Sequence, residues 1–210
     1  MTNYIIKSVF HSTAGVAVTI LAPEGETAEF LITPELWPFR KIEAGTPITE
    51  EQFFTIEHNA ALSRARARTK EILSYSGHSR KGLIAKLRHY GLPDEICDEA
   101  AAWAVEERLI REKEQAFLAA ETYQRRKYWG KKRIIAELSQ KGYPSEIIRD
   151  AVDAIPDEEY TRALTLLMER KFGTPSSDPA ERQKMVLSLL HMGYTGQQIK
   201  DAAEELKEKA

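Results

Sequence analysis

Residues 133–150, R-I-I-A-E-L-S-Q-K-G-Y-P-S-E-I-I-R-D, set the pattern of apolar and polar positions for most of the chain. Ile134, Ile135 and Leu138 fall on one face of a 3.6-residue helix, while Arg133, Glu137 and Lys141 point elsewhere. Gly142 ends that helix, because a residue without a β-carbon takes a left-handed backbone cheaply. Pro144 then supplies a fixed φ where the next helix opens.

The pattern recurs at a constant step of 51 residues, with its glycine at 91, 142 and 193. Leu87, Leu138 and Leu189 precede the glycines by four positions, Cys97, Ile148 and Ile199 follow by six, and Ala100, Ala151 and Ala202 follow by nine. Matching small and apolar residues at several offsets in three copies mark an internal repeat. In the first copy the spacing predicts helices over Leu62–Tyr75, from Ser79, and from Pro93 to about Glu107. The second copy predicts them over Lys113–Tyr128, from Gly130, and over Pro144–Ala154. The third leads with Asp157–Lys171, passes through a loop at residues 173–179, restarts at the Asp178-Pro179 cap and ends with a helix from Thr195.

Strand signals occur only near the start. Tyr4–Phe10, Val16–Leu21 and Glu29–Ile32 are short β-branched or aromatic runs separated by turn residues, and predict a small meander that needs a partner surface. A helix-like segment at Pro34–Trp37 and a capping-box start at Thr49-Glu-Glu-Gln52 follow. The fold class is therefore mainly α: three tandem three-helix repeats forming an elongated curved body, preceded by a small N-terminal β-containing unit. Its expected parts are residues 1–58, 59–110, 111–156 and 157–210.

Composition narrows the setting. A hydrophobic content of 42% with 30% charged residues is that of a globular protein. No apolar run approaches the roughly 20 residues of a membrane span, and the start lacks the regions of a signal peptide, so no membrane contact and a cytoplasmic location are expected. Cys97, the single cysteine, matches Ile148 and Ile199 in the repeat and reads as a small buried hydrophobe. The net charge of −2 hides a basic middle: −5 over residues 1–60, +7 over 61–133, 0 over 134–144 and −4 over 145–210. Such asymmetry suits a polyanionic or mixed-charge partner.

Catalytic patterns are missing. Gly77 and Gly82 have phosphate-loop spacing, but Leu83-Ile84 stand where a lysine and a hydroxyl are required. The histidines at 11, 58, 78, 89 and 191 have neither i, i+4 pairing nor companion cysteines, so no metal site and no cofactor are expected. Glu106-Glu107 and Asp157-Glu158-Glu159 read as solvated helix ends. The chain is expected not to be an enzyme.

The candidate binding residues are cations interleaved with aromatics. Arg64, Arg66, Arg68 and Lys70 are followed by Arg80, Lys81, Lys86 and Arg88, and the run 125–133 gathers Arg125, Arg126, Lys127, Lys131, Lys132 and Arg133 around Tyr128 and Trp129. Trp129 reads either as a core anchor or as part of this patch. The cations suit phosphates or the carboxylates of a protein partner.

The second copy also carries a family resemblance. Gly130-x-x-Arg133-Ile134-x-x-Glu137-Leu138-x-x-Lys141-Gly142 resembles the G-x-x-R-I-x-x-E-L-x-x-K-G pattern of the RecX family, the bacterial regulators of the RecA recombinase. His78-Ser79-Arg80 and Lys86-Leu87 match in the first copy, with Gly82 where Glu is usual. Leu109–Ala116 resembles L-L-D-D-x-x-F-A, with Arg111 replacing the first acid and Gln115 the aromatic. The resemblance covers about Leu62–Leu206. It implies a three-repeat helical protein lying in the groove of the RecA–DNA filament, blocking or disassembling it and depressing ATPase and strand exchange, with weak binding to single- and double-stranded DNA and no implied enzymatic activity; a monomer is expected. The rival reading is a stand-alone DNA-binding protein, which would gain nothing from acidic first and last parts.

Overall fold

The computed structural model of the chain describes residues 4–39, 41–173 and 178–208, and the elements below belong to those residues. Strands β1 (Tyr4–Ser12), β2 (Gly15–Leu21), β3 (Thr27–Ile32) and β4 (Pro47–Ile48) form an antiparallel sheet in the order β3-β2-β1-β4. The meander expected from sequence thus gains a fourth strand, too short to leave an alternating pattern. Alternation turns Ile6, Val18, Ile20 and Ile32 to one face, where with Ile48 they pack against Ile56 and Ala60 of helix α1 (Glu50–Tyr75). That helix is the partner surface the sheet requires. Full burial of each such side chain contributes about 1.5–3 kcal/mol.

Helix α1 is capped by reciprocal bonds between Thr49 and Gln52: the Gln52 amide donates to Thr49 Oγ1 at 3.2 Å and the Thr49 amide to Gln52 Oε1 at 2.9 Å. The two helix starts expected at Thr49 and Leu62 are one start, since residues 53–61 contain neither Gly nor Pro to break the helix. The expected boundary at residue 58 consequently falls inside α1. Three helix triplets follow the repeat: α1 with α2 (Arg80–His89) and α3 (Asp94–Glu106); α4 (Glu112–Lys127) with α5 (Lys131–Gln140) and α6 (Ser145–Asp153); α7 (Asp157–Phe172) with α8 (Pro179–His191) and α9 (Gly196–Glu208). Gly91, Gly142 and Gly193 all have positive φ, at 75°, 82° and 92°.

The step of 51 fails at one element. Buried Ala65 and Thr69 recur as Ala116 and Ala120, but the next counterparts, Tyr160, Leu164 and Met168, come 44 residues after Ala116, Ala120 and Gln124. The missing turns of chain lie in the α7–α8 connection. Of the loop expected there, residues 174–177 lie outside the described residues.

Backbone contacts divide the chain into two units. One holds the residues up to Gly77 with Leu83–Leu109; its core joins the sheet to α1, which also packs on α3. The other holds His78–Gly82 with Ile110 onward, and has one core around Leu138, Ile148 and Tyr160 and another around Leu164, Leu189 and Tyr194. Within this second unit a joint is repeated. Ser79 Oγ accepts from the Gly82 amide at 2.9 Å and donates to the Lys141 carbonyl at 2.6 Å; one repeat later, the Gly130 amide donates to the Met192 carbonyl at 2.8 Å. In the first two triplets the residue just before the second helix, Ser79 or Gly130, thereby meets the glycine turn one repeat on.

Candidate interaction surface

In the first unit, helical periodicity sends the arginines of α1 to two faces. Arg66 and Lys70 lie over the ring of Trp103 on α3, at 4.8 and 5.6 Å from its centroid. Arg68, two residues away, lies 4.3 Å from the Tyr90 ring and pairs with Glu71, and Arg88 bonds Asp94 at 2.8 Å. Arg64 is exposed and has no ion pair among the described residues; with Arg68 and Tyr90 it lines an open groove of about 470 Å³. Hydrogen bonds from its own backbone and from Thr33 hold the Glu35 carboxyl below its usual range, with Lys70 and Arg66 adding to the effect.

In the second unit, Arg80 donates its backbone N–H to the Glu112 carboxylate at 2.9 Å, so an acid already sits at the start of α2. Lys81 is exposed, with its aliphatic stem against Gly142. The run 125–133 separates by role. Tyr128 takes a left-handed backbone, φ 54°, at the end of α4 and turns Trp129 back into the core beside Tyr123, with ring centroids 4.8 Å apart. Trp129 is thus an anchor, buried beneath cations: Lys127 and Arg133 each lie 4.4 Å from its ring. Arg133 also donates to the His191 carbonyl at 2.8 Å, and Lys131 pairs with Asp157 at 2.7 Å and Asp153 at 3.7 Å while lying 5.4 Å from the Tyr160 ring. Arg125 bonds Glu121 one turn back at 2.9 Å. Among the described residues Arg126 and Lys132 alone of the six are exposed with neither an ion pair nor a ring contact, while exposed Lys127 is held only by the rings of Tyr123 and Trp129.

The chemistry available here is electrostatic. A guanidinium or ammonium free in water neutralises a phosphate or carboxylate at little cost, whereas Lys131 and Arg133 would have to abandon partners inside the fold. Among the described residues there is no group of three or more His, Cys, Asp or Glu that could hold a metal, and no helix long and apolar enough to cross a membrane. The aromatic partners Trp103 and Tyr90 were not legible as such. Their cations are 33–37 and 22 residues away along the chain, and only the folded helices bring them together.

A protein of Leptothrix cholodnii described as "Regulatory protein RecX" is 32% identical over 136 residues, covering 64% of this chain and 84% of its own length. The chain belongs to the RecX family. A second RecX protein, from Caldanaerobacter subterraneus, is 27% identical over 181 residues, covering 85% of this chain and 88% of its own. No protein-family model matches. The RecX fold is shared as well: a crystal structure of regulatory protein RecX matches 94% of this chain and 99% of its own with a TM-score of 0.73 at 20% identity. RecX from Lactobacillus salivarius matches 70% and 97% with a TM-score of 0.62 at 24% identity.

Proposed function

We propose that the chain is a non-enzymatic regulator of the RecA recombinase. It acts in the cytoplasm as a monomer that binds along the groove of the RecA–DNA filament and lowers its ATPase and strand-exchange activity. Membership in a family whose members are called regulatory proteins carries the reading. The exposed cations Arg64, Arg126 and Lys132 support it, because they offer charge that the fold itself does not use. A filament presents phosphates and carboxylates together, and acidic as well as basic parts of this chain find complements there.

The test is ATP hydrolysis by RecA on single-stranded DNA with increasing amounts of the chain. The rate is expected to fall, and the chain alone to hydrolyse nothing. An unchanged rate at saturating chain, or turnover by the chain itself, contradicts the proposal. The rival DNA-only reading is separated by capture of RecA on the immobilised chain after nuclease treatment, which a DNA bridge would not survive.

A further inference from the structure

The repeat supplies an internal template for a site that the function above does not use. Helix α6 begins 51 residues after α3, and α4 packs on α6 as α1 packs on α3. Ala100 and Ala151 are buried at matching places in the two pairs, as are Ala65 and Ala116. Trp103 therefore corresponds to Ala154, whose backbone is still right-handed helical at φ −69°, ψ −17°. Arg66 corresponds to Phe117 and Lys70 to Glu121.

In the first pair the half-buried Trp103 indole of α3 lies beneath two cations of α1. In the second pair the indole is replaced by a methyl group, and a groove of about 390 Å³ stands open there, lined by Phe117, Leu118, Glu121, Ala154, Ile155 and Glu159. Leu118 is 66% exposed on its wall, although it lies beside apolar neighbours that would shield it if the groove were filled. The missing cation is missing as well: a carboxylate, Glu121, stands where Lys70 covers Trp103.

We infer that this groove between α4 and the α6–α7 turn is a docking site for a protein partner that inserts a tryptophan-sized aromatic side chain with a lysine or arginine next to it. The aromatic ring takes the place Trp103 holds in the first pair. The adjacent cation joins Glu121 and Glu159, which are bonded to Arg125 at 2.9 Å and to Arg162 at 3.0 Å but keep 47% and 39% of their side-chain surface exposed.

The site is tested on the full chain with no recombinase present, using N-acetyl-Trp-Lys-amide as probe and amide resonances as readout. Saturable shifts are expected at Leu118, Ala154 and Ile155, with the buried Leu138 and Ile148 unmoved. N-acetyl-Trp-Glu-amide should bind more weakly, by up to about fivefold for an exposed charge pair. Ala154→Trp should fill the groove from within, abolish the shifts and leave the melting temperature unchanged or raised. Leu118→Glu, at an exposed position and so safe for folding, should abolish them too. No shift with millimolar probe, shifts that persist in Leu118→Glu, or equal binding of the Lys and Glu probes would overturn the inference. Because RecA is absent, these outcomes are independent of whether the chain regulates it.

Discussion

A β-carbon on Gly130 would stand 2.5 Å from the carbonyl oxygen of Gly193, closer than any real contact of that kind. The two glycines are where the second triplet meets the third. Their side-chain-free backbones let the Gly130 amide reach Met192 and the Tyr194 hydroxyl reach the Tyr128 carbonyl at 2.9 Å. The equivalent place one repeat earlier holds Ser79, which bonds the Lys141 carbonyl through its hydroxyl instead of its amide.

Gly130→Ala should accordingly destabilise the chain by about 1–3 kcal/mol in urea denaturation, the usual cost of forcing an extra carbon into a packed contact. Gly196→Ala is the control, since a β-carbon there meets nothing, and should stay within about 0.5 kcal/mol of wild type. Equal effects of the two would remove the joint from the account.

Leu138, Leu87 and Leu189 are all fully buried, as their common offset predicts. Leu138→Ala should cost about 2–5 kcal/mol, because the loss of transfer free energy is compounded by a cavity that its neighbours cannot fill. Exposed Ile135, on the same helix, should tolerate the same change with a far smaller loss.

The repeat was readable because it is written in local chemistry: a glycine where φ must be positive, a leucine one turn before it, a proline to open the next helix. What was not readable depends on contacts distant in sequence. Nothing around Lys131 reports that Asp157 will sit 2.7 Å from its ammonium, or around Arg133 that the His191 carbonyl will hold it. Charge density along the run 125–133 therefore overstated the cations available to a partner. The 44-residue offset of α7 is hidden for a similar reason, because the glycines that mark the repeat lie beyond the connection that restores the register.

Burial raises the pKa of the Tyr194 and Tyr160 hydroxyls well above the ordinary phenol value, with Asp153 and Asp157 adding to the rise at Tyr160. Their stabilising contribution is complete below about pH 10, where the unfolded phenol is still neutral, and is lost as pH climbs past that value toward the folded one. Stability should thus fall steeply in alkali. Tyr194→Phe should flatten that fall while losing about 0.5–1.5 kcal/mol at neutral pH with the bond to Tyr128. Urea midpoints measured from pH 7 to 11 would show both, and an alkaline loss unchanged in the variant would contradict the assignment.

On the proposed function, the cations the fold leaves free are the ones that engage the filament. Affinity for a preassembled RecA–DNA filament should be measured across a salt series for wild type, for Arg126→Ala with Lys132→Ala, and for Lys131→Ala. The double variant should bind less tightly, and its dependence of log K on log salt should be shallower by about 0.7–0.9 for each phosphate contact removed. Lys131→Ala should lose stability but keep the wild-type salt slope, since its ammonium is held by Asp153 and Asp157. A double variant with wild-type affinity and slope would contradict the claim, and equal losses on the filament and on bare DNA would favour a protein that binds DNA alone.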